Sequence, residues 1–276
     1  MYWLTSANGV FALRRAPRAG GNSETLFEGP EVIASMAWGR GKLVFSSRGA
    51  PGEVFAFDVE TRTRTSLGKG PSNIEVDPFG VSADDDFAYA IGHDTGTLAD
   101  LLFRVSLDGG KLVQLTRIER PIVQDVKGAF VDATHVYWAT PSGYVLRASK
   151  SAQGQAEVVV DDEKGLSAFA VGTSDIVYAS AEGGRSLLRV AKSGGTPRTV
   201  FADADARYGL AMNDRDIVYA TESDGLHRVD LGGNGFRVIT RDRVVSCGSI
   251  LLEGDHLFFA NTATVQSGGS VRRVCL

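Results

Sequence analysis

Short apolar runs of about five residues, broken by polar and glycine-rich stretches, recur along the whole chain, a pattern of strands rather than of long amphipathic helices. Seven of the runs share one phrase: two apolar residues, an aromatic, a small residue and then usually a polar one. They are Met1-Tyr2-Trp3-Leu4-Thr5, Leu43-Val44-Phe45-Ser46-Ser47, Phe87-Ala88-Tyr89-Ala90-Ile91, Val136-Tyr137-Trp138-Ala139-Thr140, Ile176-Val177-Tyr178-Ala179-Ser180, Ile217-Val218-Tyr219-Ala220-Thr221 and Leu257-Phe258-Phe259-Ala260-Asn261. Their aromatics stand at positions 3, 45, 89, 138, 178, 219 and 259, hence 42, 44, 49, 40, 41 and 40 residues apart. A period in the forties built from short strands predicts the blades of a β-propeller.

The stretch from Leu166 to Asp203 shows the unit with little insertion. Leu166–Val171 is a first strand, A, closed by the turn Gly172-Thr173-Ser174-Asp175; Ile176–Ser180 is strand B, apolar at nearly every position, as expected where both faces are covered. Ser186–Val190 is strand C, and Lys192-Ser193-Gly194-Gly195 is a hairpin turn whose glycines accept positive φ. Pro197–Phe201 is strand D, so four strands make one antiparallel blade. Copies of the C-to-D turn read Ala19-Gly20-Gly21, Asp108-Gly109-Gly110 and Gly232-Gly233-Asn234, while D-to-A links start near Pro30, Pro71 and Pro121. The grammar covers residues 1–276 as a single domain, with units beginning near 2, 43, 87, 136, 176, 217 and 257. Six A, seven B, seven C and six D strands make 26, against 24 for six closed blades and 28 for seven. The expectation is an all-β propeller of four-stranded antiparallel blades, seven in number, whose first lacks its inner strand and whose last lacks its outer one. The alternatives are six blades with two surplus strands, or a fragment, a window of a longer repeat.

Strand B followed by strand C, as in Val136–Thr140 and then Tyr144–Ala148, resembles the YWTD repeat of the low-density-lipoprotein-receptor class and its bacterial secreted relatives. Phe103-Arg104-Val105-Ser106-Leu107-Asp108-Gly109-Gly110 and His227-Arg228-Val229-Asp230-Leu231-Gly232-Gly233 are similar to the second half of that motif. The motif's closing aspartate is replaced here by Thr5, Ser47, Ile91, Thr140, Ser180, Thr221 and Asn261, so the resemblance implies fold and not the receptors' ligand chemistry. The second repeat, Phe55–Thr61, resembles a TolB-type or quinoprotein-type blade. Family resemblance also implies a bacterial, extracytoplasmic setting, although Met1–Thr5 is already a strand and no export signal precedes it.

A net charge of -4, a pI near 5.6 and scattered basic residues lack the electrostatic footprint that nucleic acid requires. No run approaches the ~18 apolar residues of a membrane-spanning helix, so membrane insertion is not expected. Cys247 and Cys275 are too few for a disulfide-dense scaffold, and their places at opposite ends of a blade argue against a bridge between them.

Arginine recurs in strand C at Arg15, Arg104, Arg147, Arg189, Arg228 and Arg273. An anion-binding ring is one reading; pairing with neighbouring blades, the stem covering apolar surface, is the simpler one. His135 and His256 sit in turns before strand B and His227 in strand C. His93 and Asp94 form the best acid–base pair in the sequence. Asp84-Asp85-Asp86, Asp161-Asp162-Glu163 and Asp203-Ala204-Asp205 match no calcium-loop spacing and read as turns.

Propellers bind ligands at the channel mouth, where inner strands begin, which by analogy of architecture selects Asn73, Glu75, Asp125, Lys127, Arg207, Tyr208, Ser246 and Cys247 as binding residues. The mouth is polar and mixed in charge, unlike the stacked ligands of a metal-dependent lactonase. The reading is a non-enzymatic scaffold holding a protein, peptide or glycan through loops at one face, without cofactor or assigned catalytic residue. The alternatives are a gluconolactonase-like hydrolase or lyase, with a divalent metal on residues such as Glu75 and Asp125, and a structural module of a larger protein.

Overall fold

The computed structural model describes residues 1–7, 10–30, 35–47, 51–118, 126–140, 142–151, 153–181, 185–202, 204–221, 225–241, 250–261 and 270–276. They form 26 strands in seven antiparallel sheets, and the chain is an all-β propeller. The first sheet is β1 (Tyr2–Ala7), β2 (Val10–Arg15) and β3 (Glu24–Gly29); the second is β4 (Ala37–Gly39), β5 (Lys42–Ser47), β6 (Glu53–Asp58) and β7 (Thr63–Lys69). The third is β8 (Ile74–Ala83), β9 (Phe87–Asp94), β10 (Asp100–Ser106) and β11 (Val113–Ile118); the fourth is β12 (Ala129–Val131), β13 (His135–Ala139), β14 (Tyr144–Ser149) and β15 (Glu157–Asp161). The fifth is β16 (Leu166–Val171), β17 (Asp175–Ser180), β18 (Leu187–Ala191) and β19 (Arg198–Phe201). The sixth is β20 (Ala206–Met212), β21 (Asp216–Thr221), β22 (Gly225–Asp230) and β23 (Arg237–Thr240), and the seventh is β24 (Ile250–Glu253), β25 (His256–Asn261) and β26 (Ser270–Cys275). Thus five sheets have all four strands; among the described residues the first lacks strand A and the seventh lacks strand D, as the repeat count predicts.

The chain divides into two compact units, Met1–Trp138 with Arg147–Ala156, and Ala139–Leu146 with Glu157–Leu276. In each, apolar faces of adjacent sheets close on one another. Val44, Val54 and Ala56 of the second sheet meet Ile74, Ala90 and Phe103 of the third, and Ala170, Val177 and Leu187 of the fifth meet Leu210, Ile217 and Val229 of the sixth. Strand B is buried at its middle positions because both of its faces are covered, which accounts for its continuous apolar run.

Turn chemistry repeats with the strands. In the A-to-B turns the Asp84 carboxylate accepts from the amides of Asp86 and Phe87, and that of Asp132 from Thr134 and His135, so these acids cap turns as their spacing implies. The same carboxylates accept the hydroxyls of the strand-B tyrosines, Tyr89 at 2.9 Å and Tyr137 at 3.1 Å, whose ionisation burial pushes up. Tyr89→Phe removes one such bond and is expected to cost about 1 kcal/mol in denaturant unfolding, since only one partner of a half-exposed acid is lost.

Every described C–D pair for which the register is given carries one bulge at the same place, leaving Leu26, Leu67, Leu115, Val200 or Ile239 as the extra residue of strand D. Leu67 and Leu115 are buried, so the bulge turns an apolar side chain inward from an otherwise polar edge strand.

The strand-C arginines hold this arrangement together. The guanidinium of Arg104 donates to the Lys150 carbonyl of the fourth sheet and lies over the Phe87 ring; that of Arg189 donates to the Leu231 carbonyl of the sixth. Arg189 and Arg228 also pair with Asp175 and Asp216 at the heads of their own B strands. The pairing role therefore accounts for these arginines.

Candidate functional site

A group of polar residues converges at the rim of the third sheet, where β8 and β10 begin and β9 ends. Cross-strand register places Glu75 opposite His93 and His93 opposite Asp100, so the three share one face of the sheet. Consecutive strand residues point to opposite faces, which sends Asp94 to the other side. The expected His93–Asp94 pair is therefore not formed. His93 pairs with Asp100, Nδ1 to Oδ1 at 3.2 Å.

Asp94 has a different task. Its Oδ1 accepts from Asn73 Nδ2 at 2.9 Å and from the amides of Gly96 and Thr97, and its Oδ2 lies 3.4 Å from Arg117. Arg117 in turn donates to the Thr97 hydroxyl at 2.7 Å, and the Asn73 carbonyl accepts the Thr95 amide. The hydrogen bonds from Thr97, opposed by burial and aided by those from Gly96 and Asn73, hold this carboxyl well below its usual range. A carboxylate so fully occupied ties the D-to-A link to the B-to-C loop and has no capacity left for proton transfer.

Asp100 is the opposite case. Its side chain is 10% exposed, and burial pushes its pKa up to about 6 against the hydrogen bond and charge of His93, with the nearby Asp77 charge adding to the rise. His93, 22% exposed, has its Nδ1 engaged, and among the described residues nothing bonds its Nε2. An imidazole held through one nitrogen by a buried carboxylate presents the other as donor or acceptor.

Asp77 belongs to a break in the inner strand. Between the pairs Val76↔Gly92 and Val81↔Ala90, β8 carries four residues, 77–80, against the single Ile91. Asp77 stabilises the excursion by accepting from the amides of Phe79 and Val126, while its carbonyl accepts from Ser46 Oγ. A smaller break occurs in β20, where Arg207 and Tyr208 are inserted between the pairs Ala206↔Thr221 and Gly209↔Ala220. Breaks of this kind re-aim the chain beside binding sites.

Of the residues expected at the mouth, Asn73 and Glu75 lie at this rim and Lys127 is half-buried beside Val126. Arg207 and Tyr208 are located by backbone register alone, and Asp125, Ser246 and Cys247 lie outside the described residues. Asp100 and Asp77 are the residues that sequence reasoning missed. The available signal was a lone acid at the head of the apolar run Leu101-Leu102-Phe103. Among the described residues no three His, Cys, Asp or Glu side chains gather as a metal site would require. His227 is packed between Tyr219 and Phe236, with ring centroids at 5.3 and 5.4 Å.

No family model and no curated protein matches the sequence. Solved structures do. The chain is similar to an oligogalacturonate lyase in complex with manganese, at 12% identity and a TM-score of 0.68 over 96% of this chain and 82% of that one. It is similar to TolB from Acinetobacter baumannii, at 14% identity and a TM-score of 0.56 over 84% of this chain, spanning 61% of TolB. It is also similar to the computationally designed Ika8 protein, at 12% identity and a TM-score of 0.55 over 99% of this chain and 95% of that one. Identities this low establish the propeller fold alone, and a fold shared with a designed protein carries no particular activity.

Proposed function

We propose that the protein is a non-enzymatic propeller scaffold that holds a protein, peptide or glycan at the rim of its third sheet. The observation that carries this reading is the locking of two rim segments by the single Asp94 carboxylate, which makes a rigid platform of loops. That platform carries Leu98, 54% exposed and at a φ of 60°, on the loop that follows His93, whose Nε2 is open among the described residues. An apolar loop tip held in an unfavourable backbone conformation, on the same rim as a directional polar group, suits surface recognition. Screening the chain and its Leu98→Asp and His93→Ala variants on glycan and peptide arrays tests it. Ligands that bind the parent chain are expected to weaken at least ~10-fold in both variants, with the unfolding transition of Leu98→Asp unchanged. Ligands that ignore both substitutions would move the site elsewhere.

The His93–Asp100 dyad favours one second reading, a lyase in which His93 moves a proton. Incubation with oligogalacturonate, with and without manganese, tests that reading through the ultraviolet absorbance of an unsaturated product. Formation of product that His93→Ala abolishes would replace the scaffold reading.

A further inference from the structure

Cross-strand register sets Glu75 of β8 and Asp100 of β10 on either side of His93 in β9, on one face of the third sheet. Directly opposed residues of antiparallel strands hold their Cβ atoms about 5 Å apart, near enough for two side chains to address one ligand group. The three do not play the same part. Asp100 is buried and bonded to His93 Nδ1 at 3.2 Å, so it serves the imidazole rather than a ligand. Glu75 is half-buried, and among the described residues its carboxylate has no hydrogen bond and no ion pair. Two cations of the same region leave it so: Arg117 serves Asp94 and Thr97 on the opposite face, and Lys127 pairs with neither Glu75 nor His93.

Hydrogen-bond polarity then decides what fits. An ionised carboxylate can only accept, so in the neutral ring Asp100 draws the imidazole proton to Nδ1 and leaves Nε2 with a lone pair. Ionised Glu75 likewise only accepts. The open groups of this face are thus two acceptors, one of them charged, and the matching ligand group is a cation with several donor hydrogens, as in a primary ammonium. A divalent metal is the poorer match, because among the described residues no three His, Cys, Asp or Glu side chains gather to form its shell. Lysine has a further advantage. It carries its ammonium on a four-carbon stem that packs along apolar surface, and Leu98, exposed on the loop between β9 and β10, offers such surface on the same rim. An amino sugar, polar around its ring, makes little use of it.

We propose that the third-sheet rim recognises a lysine side chain of a partner polypeptide, its ammonium donating to the Glu75 carboxylate and to His93 Nε2, with Asp100 as the positioning residue that keeps Nε2 an acceptor. The proposal rests on the rim being the binding site, and it narrows the ligand from a protein, peptide or glycan to a polypeptide that presents a primary amine.

The test is a nitrogen NMR titration of the full chain at about pH 8, where lysine keeps its proton. The probes are Nα-acetyl-lysine methylamide, its norleucine analogue, which keeps the stem without the ammonium, and glucosamine. His93 is expected to be protonated at Nδ1, and the lysine probe to shift its Nε2 resonance saturably, with the norleucine probe at least ~10-fold weaker. Glu75→Gln should weaken the lysine probe at least ~10-fold. Asp100→Asn, whose amide can donate to Nδ1, should move the proton to Nε2 and weaken the probe at least ~5-fold; a merely structural role for Asp100 would leave that proton where it is. Changes of probe leave the protein intact, so they decide the matter even if a variant fails to fold. Equal binding of the lysine and norleucine probes, lost in Leu98→Asp, would overturn the ammonium proposal and leave the rim site standing. Saturation by glucosamine where the lysine probe fails would overturn the polypeptide source. No response of His93 to any probe would overturn the proposal outright, and the array screen of Leu98→Asp and His93→Ala then shows whether the rim site falls with it.

Discussion

Alanine in place of Gly225 is expected to destabilise the protein by about 3 kcal/mol or more, a large effect for one methyl group. Gly225 opens β22 at a φ of 84°, where an L-residue alone pays roughly 1–2 kcal/mol. A Cβ there would also sit 2.1 Å from the Thr240 carbonyl oxygen and 2.8 Å from the Arg241 Cα. Both obstacles are backbone of the outer strand, so relief requires β23 to move from its pairing with β22. Gly143, just before β14 and one residue earlier in the repeat than Gly225, is a second close approach, at a φ of 98° with its notional Cβ 1.8 Å from the Asp162 carbonyl. Gly254→Ala supplies the control, since its φ of 57° carries the conformational cost while nothing lies within 4 Å of the added carbon. Urea unfolding of the two variants reads the difference directly. Equal losses would mean that close approach of the strands is not what requires glycine at 225.

Asp100→Asn is expected to stabilise the protein at neutral pH, against the usual direction for a substitution at a buried site. The folded state holds the Asp100 proton up to a pKa of about 6, while the unfolded chain releases it near the ordinary value of 3.8. Between those limits the native state binds more protons than the unfolded one, so this group's contribution to stability is full below 3.8 and lost as pH rises through 6. At ~1.4 kcal/mol per unit the loss is on the order of 2–3 kcal/mol. Asp84, Asp94 and Asp175, held low by their partners, act with the opposite sign and weaken the fold as pH falls. The difference between parent and Asp100→Asn unfolding free energies at pH 4 to 8 isolates the one group. It should be small at pH 4 and grow in favour of the variant to a plateau above pH 7; a flat difference would show that burial does not govern this carboxyl.

Much of the scaffold is readable without coordinates. The fifth sheet illustrates it: the first strand, Leu166–Val171, has the ends expected from its pattern, the second and fourth differ by one residue at their start, and the third is shifted by one residue at both ends. The glycine pairs at 20–21, 109–110 and 194–195 have the positive φ that their hairpins demand, while the sixth sheet uses Gly233 and Gly235. The rim was less legible. His93 and Asp94 are neighbours in sequence and therefore face away from one another in a strand, whereas His93 and Asp100 meet because a tight loop folds Leu98 back onto the Asp94 carbonyl.

The sequence by itself determined the repeat and the order of strands within a sheet, and it favoured seven sheets over six, with the first short of strand A and the last short of strand D, as the described residues have it. Those follow from local periodicity, turn residues and the apolar middle of strand B, all of which act within a few residues. Only the tertiary structure decided which polar groups share a face at the third-sheet rim, how deeply Asp100 is buried and where the outer strands bulge. Each of these depends on cross-strand register and on what the neighbouring strand supplies, and a one-residue shift of register would send every side chain concerned to the opposite face.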